Sequence, residues 1–257
     1  ASAYGADIVK IRGFGESAEI GERVFAYIER QARLKNWQVM ITAYRYNPEA
    51  MEGVKTISFE LYHDLNGRFP DAVFVPVGGG GLCLGVMRGF RELRERWTAH
   101  GTVSIVAVQP EGCSNVVRAF ARGRTEPEPG DSTSRISGLQ VPNPPDGRPV
   151  LEGLLAGEGW AEAVPDESAW KWQEKLAAEE GILCEPAASI TLAGLERSVR
   201  NGRIPDDAIV VCVITGAGYK DGDRLKEMFD RRPPVLLRDI DELERESGTD
   251  SEKFYKF

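Results

Sequence analysis

Two stretches of this chain place glycines directly after an apolar run, an arrangement suited to gripping an anion beside a polar ring. The first is Val75-Pro76-Val77-Gly78-Gly79-Gly80-Gly81-Leu82. Four consecutive glycines cost considerable backbone entropy. With no Cβ atoms, the amides of Gly78, Gly79, Gly80 and Gly81 can wrap closely around an anion such as a phosphate. The unpaired N–H groups and the positive dipole end of a following helix add to that attraction. A tight strand-to-helix turn would also use glycine, but needs one or two rather than four. A Walker A loop requires Gly-Lys-Ser/Thr at its end, where this chain has Gly85-Val86-Met87. The dinucleotide pattern begun at Gly78 requires glycine where this chain has Cys83.

The second stretch is Val213-Ile214-Thr215-Gly216-Ala217-Gly218-Tyr219-Lys220. A strand ending at Thr215 would deliver a hydroxyl to the crevice beyond the sheet, where it could donate to or accept from a ring nitrogen. The same residues also suit an ordinary turn. Between the two stretches lies Glu180-Gly181-Ile182-Leu183-Cys184-Glu185-Pro186-Ala187-Ala188-Ser189. Glu185 either complements the start of the helix that Pro186 opens or lines a pocket near a cofactor ring.

These residues need a scaffold, and the hydrophobic periodicity supplies one. Strands are expected at residues 7–12, 37–42, 71–77, 104–109, 160–164 and 209–214. Helices are expected at 17–35, 49–65, 81–99, 115–122, 166–180 (with Asp166 as N-cap), 186–200 and 222–229. The apolar face of the first helix would comprise Val24, Tyr27, Ile28, Ala32 and Leu34. Residues 123–149, rich in Pro, Gly, Ser and Asp, read as a long loop. From residue 231 onward the chain reads as a charged terminal extension. Strands alternating with helices specify an α/β fold: a parallel sheet flanked by helices on both faces, with ligands bound beyond the strands' carboxyl ends.

Bulk properties narrow the function classes. A net charge of -8 argues against nucleic acid and against an anionic membrane surface. No apolar run is long enough to span a bilayer, and residues 1–6 carry no secretory signal pattern. Cys83, Cys113, Cys184 and Cys212 are scattered, without CxxC pairing or a nearby His, so no metal site is expected. Cys212, inside an apolar run, is expected to be a buried free thiol. A cytoplasmic location follows from this cysteine usage.

Taken in order, the VGGGGL, EGIxxEPAA and TGxGxK segments resemble the fold-type II pyridoxal-phosphate (PLP) enzymes, the tryptophan synthase β-like group that includes threonine synthases and serine/threonine dehydratases. Asn47-Pro48-Glu49-Ala50-Met51-Glu52-Gly53-Val54-Lys55-Thr56 is similar to the NPxxxEGxKT stretch of threonine synthases. Ala3-Tyr4-Gly5-Ala6 resembles the end of the family's small mobile domain. The resemblance runs from about residue 3 to residue 228. It implies that Gly78, Gly79, Gly80, Gly81 and Leu82 hold the PLP phosphate, that Thr215 faces the pyridine nitrogen, and that Glu185 lines the pocket near the ring. A neutral hydroxyl at the nitrogen would not enforce a protonated ring, a feature that accompanies elimination and replacement at the β or γ carbon. The loop around residues 132–138 falls where the family builds part of its substrate pocket.

The resemblance also implies three parts: residues 1–50 as the remnant of a small domain, 51–230 as the large PLP-binding domain and 231–257 as an extension. The family's cofactor-bearing lysine and its Ser-Gly-Asn substrate loop lie upstream of the matched region. Lys10, Lys35, Lys55 and Lys220 do not sit in the lysine motif, so no catalytic residue is assigned. The expectation is a fragment of a longer enzyme, or a chain whose partner supplies the missing N-terminal part, and otherwise a homodimer. The implied substrate is an amino acid and the implied activity threonine synthase-like. A serine/threonine dehydratase or diaminopropionate ammonia-lyase is the nearest alternative, and a non-catalytic PLP- or phosphate-binding subunit the alternative of another class. A sheet split at this point should expose an apolar edge. The isolated chain is therefore expected to be poorly soluble; a monodisperse, cooperatively melting species in size-exclusion chromatography and calorimetry would contradict this.

Overall fold

The computed structural model describes residues 4–96, 101–231 and 233–242. The chain divides into two compact units, Ala1–Lys220 and Asp221–Phe257.

The first unit is built on a four-stranded parallel sheet of β1 (Ala72–Pro76), β2 (Ser104–Pro110), β3 (Gly159–Val164) and β4 (Val210–Cys212), in the order β3-β2-β1-β4. Its helices are α1 (Ala18–Lys35), α2 (Pro48–Met51), α3 (Thr56–Asp64), α4 (Gly81–Arg96), α5 (Asn115–Ala121), α6 (Gly147–Gly153), α7 (Asp166–Glu179) and α8 (Pro186–Arg200). Central strand β1 is buried along its whole length. Because side chains alternate along a strand, it feeds two cores. Val73 and Val75 pack with Val86, Phe90 and Leu93 of α4, while Ala72 and Phe74 pack with Ile190 and Ala193 of α8. Gly194 lets α8 approach β2 closely, since a Cβ there would lie 2.7 Å from Val108 Cγ2.

The helix-bearing pattern is largely as the periodicity predicts, with four local differences. Residues 7–12 and 37–42 form no strand, and Ile8, Val9, Ile11, Trp37 and Met40 are exposed. A strand exists only as part of a hydrogen-bonded ladder, and no strand lies beside either segment among the described residues. The apolar face of α1 is only partly covered: Val24, Ile28 and Ala32 are half-buried, Tyr27 and Leu34 are exposed, and Gly21 is the helix's one buried residue. The expected helix over 49–65 is resolved into α2, a 3-10 turn (Glu52–Lys55) and α3. The expected loop over 123–149 ends early, because α6 begins at Gly147 and accepts Pro149 in its first turn, where a missing N–H costs nothing. The end of the predicted helix at 97–99 lies outside the described residues.

At the sheet's edge, β4 is shorter than the apolar run suggested, and its three residues are only half-buried. Cys212 is accordingly half-buried rather than buried, yet desolvation still pushes its thiol up to about 12. In the second unit, α9 (Gly222–Arg231) starts after Asp221, whose carboxylate accepts from the Arg224 amide at 3.2 Å. Most of the predicted extension, residues 232 and 243–257, lies outside the described residues.

The core makes a stability prediction. Ile190 is fully buried between α8 and the sheet. Ile190→Ala should lower unfolding free energy by about 2–5 kcal/mol, read as a shift in urea midpoint with an unchanged slope.

Candidate functional site

The glycine turn joins β1 to α4, and the Thr215 turn follows β4. These strands are parallel neighbours, with Ala72 opposite Val210 and Phe74 opposite Cys212, so both turns leave the same end of the sheet. At the end of β1, Val77 donates to the Val108 carbonyl at 2.8 Å, and its own carbonyl accepts from buried Gln109 at 3.3 Å. Beyond this point the amides of Gly78, Gly79, Gly80, Gly81 and Leu82 have no protein acceptor among the described residues. The first bond back to the turn is from Leu84 N–H to the Gly80 carbonyl, 2.9 Å. A run of unpaired amides at a helix N-terminus is a ready anion cradle.

Three of the glycines also serve chain packing. A Cβ at Gly78 would lie 2.6 Å from the Gly138 carbonyl oxygen, and one at Gly81 would lie 2.6 Å from that of Thr42. Gly80 has φ +95°, and a Cβ there would meet the Asp146 carbonyl carbon at 2.9 Å. Gly79 makes only ordinary contact with the Pro145 ring, 3.4 Å. The tight-turn reading and the phosphate-cradle reading are therefore not exclusive: absent Cβ atoms admit neighbouring backbone while the amides stay unpaired.

Asp146 holds this arrangement and was not singled out from the sequence. It is buried. Its amide donates to the Gly79 carbonyl at 2.9 Å, and its carboxylate accepts from Tyr44 N–H at 2.7 Å and Arg45 N–H at 3.0 Å. Asp146 occupies the N-cap position of α6 without bonding that helix through its side chain. A sequence signal existed, because Asp146-Gly147-Arg148-Pro149 reads as a helix start, but the target of the carboxylate lies about a hundred residues away.

On the β4 side, Thr215 and Glu185 are brought together. The Thr215 hydroxyl donates to Glu185 Oε1 at 3.2 Å, and Glu185 N–H donates to the Gly216 carbonyl at 2.9 Å. Glu185 precedes α8 yet makes no side-chain cap to it, so its carboxylate serves Thr215 instead. The loop at residues 132–138 is anchored through Asp166. This residue lies in the first turn of α7 rather than at its N-cap, and its carboxylate accepts from Ser134 Oγ at 2.9 Å and Arg135 N–H at 2.6 Å. Gly138, at the end of this loop, touches Gly78 on one side and would bring a Cβ within 3.8 Å of Ala187 of α8 on the other.

Comparison with known proteins accords with this geometry. Residues 1–216 match the pyridoxal-phosphate dependent enzyme family. The chain belongs to that family. It is 31% identical to the threonine synthase of Methanocaldococcus jannaschii over 221 residues, 86% of this chain and 52% of the relative. It is 30% identical to the threonine synthase of Methanosarcina acetivorans over 241 residues, 93% of this chain and 57% of the relative. The chain thus spans little more than half the length of these curated relatives. Among solved structures, O-ureido-L-serine synthase superposes with TM-score 0.60 at 22% identity, over 93% of this chain and 66% of that one. Threonine deaminase isoform 2 from Solanum lycopersicum superposes with TM-score 0.56 at 20% identity, over 72% of this chain and 50% of that one. The fold is that of the fold-type II PLP enzymes.

The cofactor of this family is PLP, and the residues present fit its two polar ends: unpaired amides suited to a phosphate, and a hydroxyl–carboxylate pair suited to a ring nitrogen. Among the described residues they do not supply an obvious amine. Lys55 Nζ lies 2.5 Å from Glu52 Oε2 and 2.6 Å from Glu92 Oε2. Those two bonds raise its pKa, the reverse of what a lysine nucleophile needs. Lys35 rests over the Trp37 ring, 4.5 Å from its centroid.

Asp146 supplies a pH prediction. Burial raises its pKa above the ordinary aspartate value, while the Tyr44 and Arg45 amides act in the opposite sense. The folded state therefore binds this proton more tightly than the unfolded chain does. The stabilisation is fully present below the unfolded value of about 3.9 and is lost as pH rises through the folded one. Carbon-detected NMR should place the Asp146 midpoint above about 3.9. Across that window, wild type should lose stability relative to Asp146→Asn as pH increases.

Proposed function

We propose that this chain is the cofactor-binding portion of a threonine synthase-like PLP enzyme, a lyase or synthase acting on an amino acid by elimination or replacement at the β or γ carbon. The observation that carries the reading is the placement of unpaired amides and the Thr215–Glu185 pair at the same end of adjacent parallel strands. The threonine synthase relatives support the choice within the family. In this reading Gly78, Gly79, Gly80, Gly81 and Leu82 hold the phosphate, Thr215 meets the ring nitrogen, and Glu185 fixes Thr215. When bound, PLP supplies the electron sink for the reaction. Gly138 and the 132–138 loop wall the space between the glycine turn and α8. The residue that moves the substrate proton is not among those placed at the site.

The same reading treats residues 1–50 as part of a small domain, 51–230 as the large domain and 231–257 as an extension, in a cytoplasmic homodimer. The exposed apolar side chains of residues 8–11 and 37–40 support a small domain that needs further chain to cover it. No helix among the described residues is long and apolar enough to cross a membrane. A dehydratase is the second reading, favoured by 25% identity to a fungal L-serine ammonia-lyase from Rhizomucor miehei (TM-score 0.53) over 69% of this chain. Turnover of a phosphorylated homoserine against serine or threonine, by the enzyme assembled with its N-terminal part, separates the two.

Titration with PLP, followed by absorbance, tests the cofactor reading directly. Saturable binding is expected, weakened at least about tenfold, or about 1.4 kcal/mol, by Gly79→Asp. That variant puts a carboxylate into the cradle at the one glycine with room for a side chain. Pyridoxal, which lacks the phosphate, should bind wild type and variant alike. Equal PLP affinity in both proteins would remove the phosphate role of the turn. Borohydride reduction and peptide mapping would reveal any lysine that captures the cofactor; a labelled peptide would contradict the reading that this chain lacks that residue.

A further inference from the structure

A cavity of about 350 Å³ opens at the seam between α1, residues 45–46 and the loop that precedes α6. That volume suits a small organic molecule. The seam is stapled by three hydrogen bonds. Ala18 N–H donates to Asp131 Oδ1 at 2.8 Å, Asn143 Nδ2 donates to the Ala18 carbonyl at 2.6 Å, and Ser132 N–H donates to the Glu16 carbonyl at 2.7 Å. Five prolines of the loop line the cavity, and Pro142 and Pro144 among them are buried. Phe25 and Tyr46 complete the apolar lining as a stacked pair, with centroids 5.4 Å apart. Proline rings and a packed aromatic pair have little conformational freedom left to lose when a ligand enters.

Glu22, Glu29 and Arg45 bring charge to the same cavity. None of the three forms an ion pair or a side-chain hydrogen bond among the described residues. At the other end of the loop, by contrast, Arg118, Arg122 and Arg124 all converge on Glu128. Glu22 and Glu29 are two turns apart and share one face of α1. The Arg45 guanidinium rests on the Tyr46 ring, 5.4 Å from its centroid. Burial raises the pKa of the Tyr46 hydroxyl; Arg45 opposes that shift and Glu29 adds to it, so both charges stand near one hydroxyl. Carboxylates and a guanidinium around rigid apolar rings match a molecule that carries an ammonium, a carboxylate and an apolar body. We propose that this cavity is a binding site for an α-amino acid with an apolar side chain. Its carboxylate meets Arg45, its ammonium meets Glu29 and Glu22, and its side chain lies on the proline rings. The site is separate from the glycine turn, because Pro145 lines the cavity and also packs on Gly79, 3.4 Å from the position of a Cβ there. The inference does not rest on the cofactor reading.

The test is calorimetric titration of the full 257-residue chain with L-phenylalanine, phenethylamine and 3-phenylpropionate. Phenethylamine lacks the carboxylate and 3-phenylpropionate lacks the ammonium. L-Phenylalanine should bind saturably, and about fivefold tighter than either analogue. Arg45→Gln should weaken L-phenylalanine and 3-phenylpropionate and spare phenethylamine. Glu29→Gln should weaken L-phenylalanine and phenethylamine and spare 3-phenylpropionate. Neither side chain has an ion pair to lose, so both variants should melt as wild type does, which a thermal scan checks. No saturable binding of L-phenylalanine to wild type, or affinities for all three compounds unchanged in both variants, would overturn the inference. Added PLP should leave L-phenylalanine bound; displacement by PLP would put the amino acid at the cofactor site and overturn the inference as well. A chain that binds L-phenylalanine as described but not PLP would bring down the cofactor reading alone.

Discussion

The site depends on side-chain atoms that are absent from one turn. Gly78, Gly80 and Gly81 lie under backbone from residues 138, 146 and 42, at separations that no Cβ could occupy. Close approach by these segments is possible only because the turn has no side chains, and the turn in turn takes its shape from them. The amides that remain unpaired at the start of α4 are therefore held rather than free to reorganise. Such preorganisation is what lets backbone dipoles grip an anion without reordering when it arrives.

Two acidic residues fix the two halves of the site by the same device. Asp146 and Glu185 each stand at the start of a helix, where a carboxylate would ordinarily bond the helix's own first amides. Neither does so. Asp146 reaches the amides of Tyr44 and Arg45, and Glu185 reaches Thr215. Uncharged partners complete the framework. Gln109 bonds the Val77 carbonyl and the first amides of α5, and Asn115 bonds the carbonyls of Glu128 and Pro142. Each is fully buried, where an unsatisfied polar group would cost about 1–3 kcal/mol. Fully satisfied buried networks of this kind select one arrangement of the loops they join.

The absent strands and the partly exposed face of α1 share one cause. Residues 7–12 and 37–42 have strand-like composition and α1 has an apolar face, but Ile8, Val9, Ile11, Trp37, Met40, Tyr27 and Leu34 lie exposed. Backbone pairing and apolar burial both require a second surface. Where such a surface exists, as between β1 and α8, the periodicity and the structure agree to within one residue at each end. The curated relatives are nearly twice as long as the matched region of this chain.

By itself, the sequence determined the fold class, the positions of the buried strands and most helices, and the identity of the glycine, glutamate and threonine segments as chemically unusual. Periodicity and glycine content are local properties, legible over a few residues. It could not determine that Gly78 is needed for Gly138, that Asp146 rather than any residue beside the turn holds the cradle, or that Glu185 and Thr215 are partners. Those facts join residues 30 to 102 positions apart. They exist because parallel strands deliver their following turns to one end of a sheet, so that segments distant in sequence meet there. Tertiary structure alone decided that the Thr215 hydroxyl has a carboxylate within reach, since Glu185 lies 30 residues away in sequence.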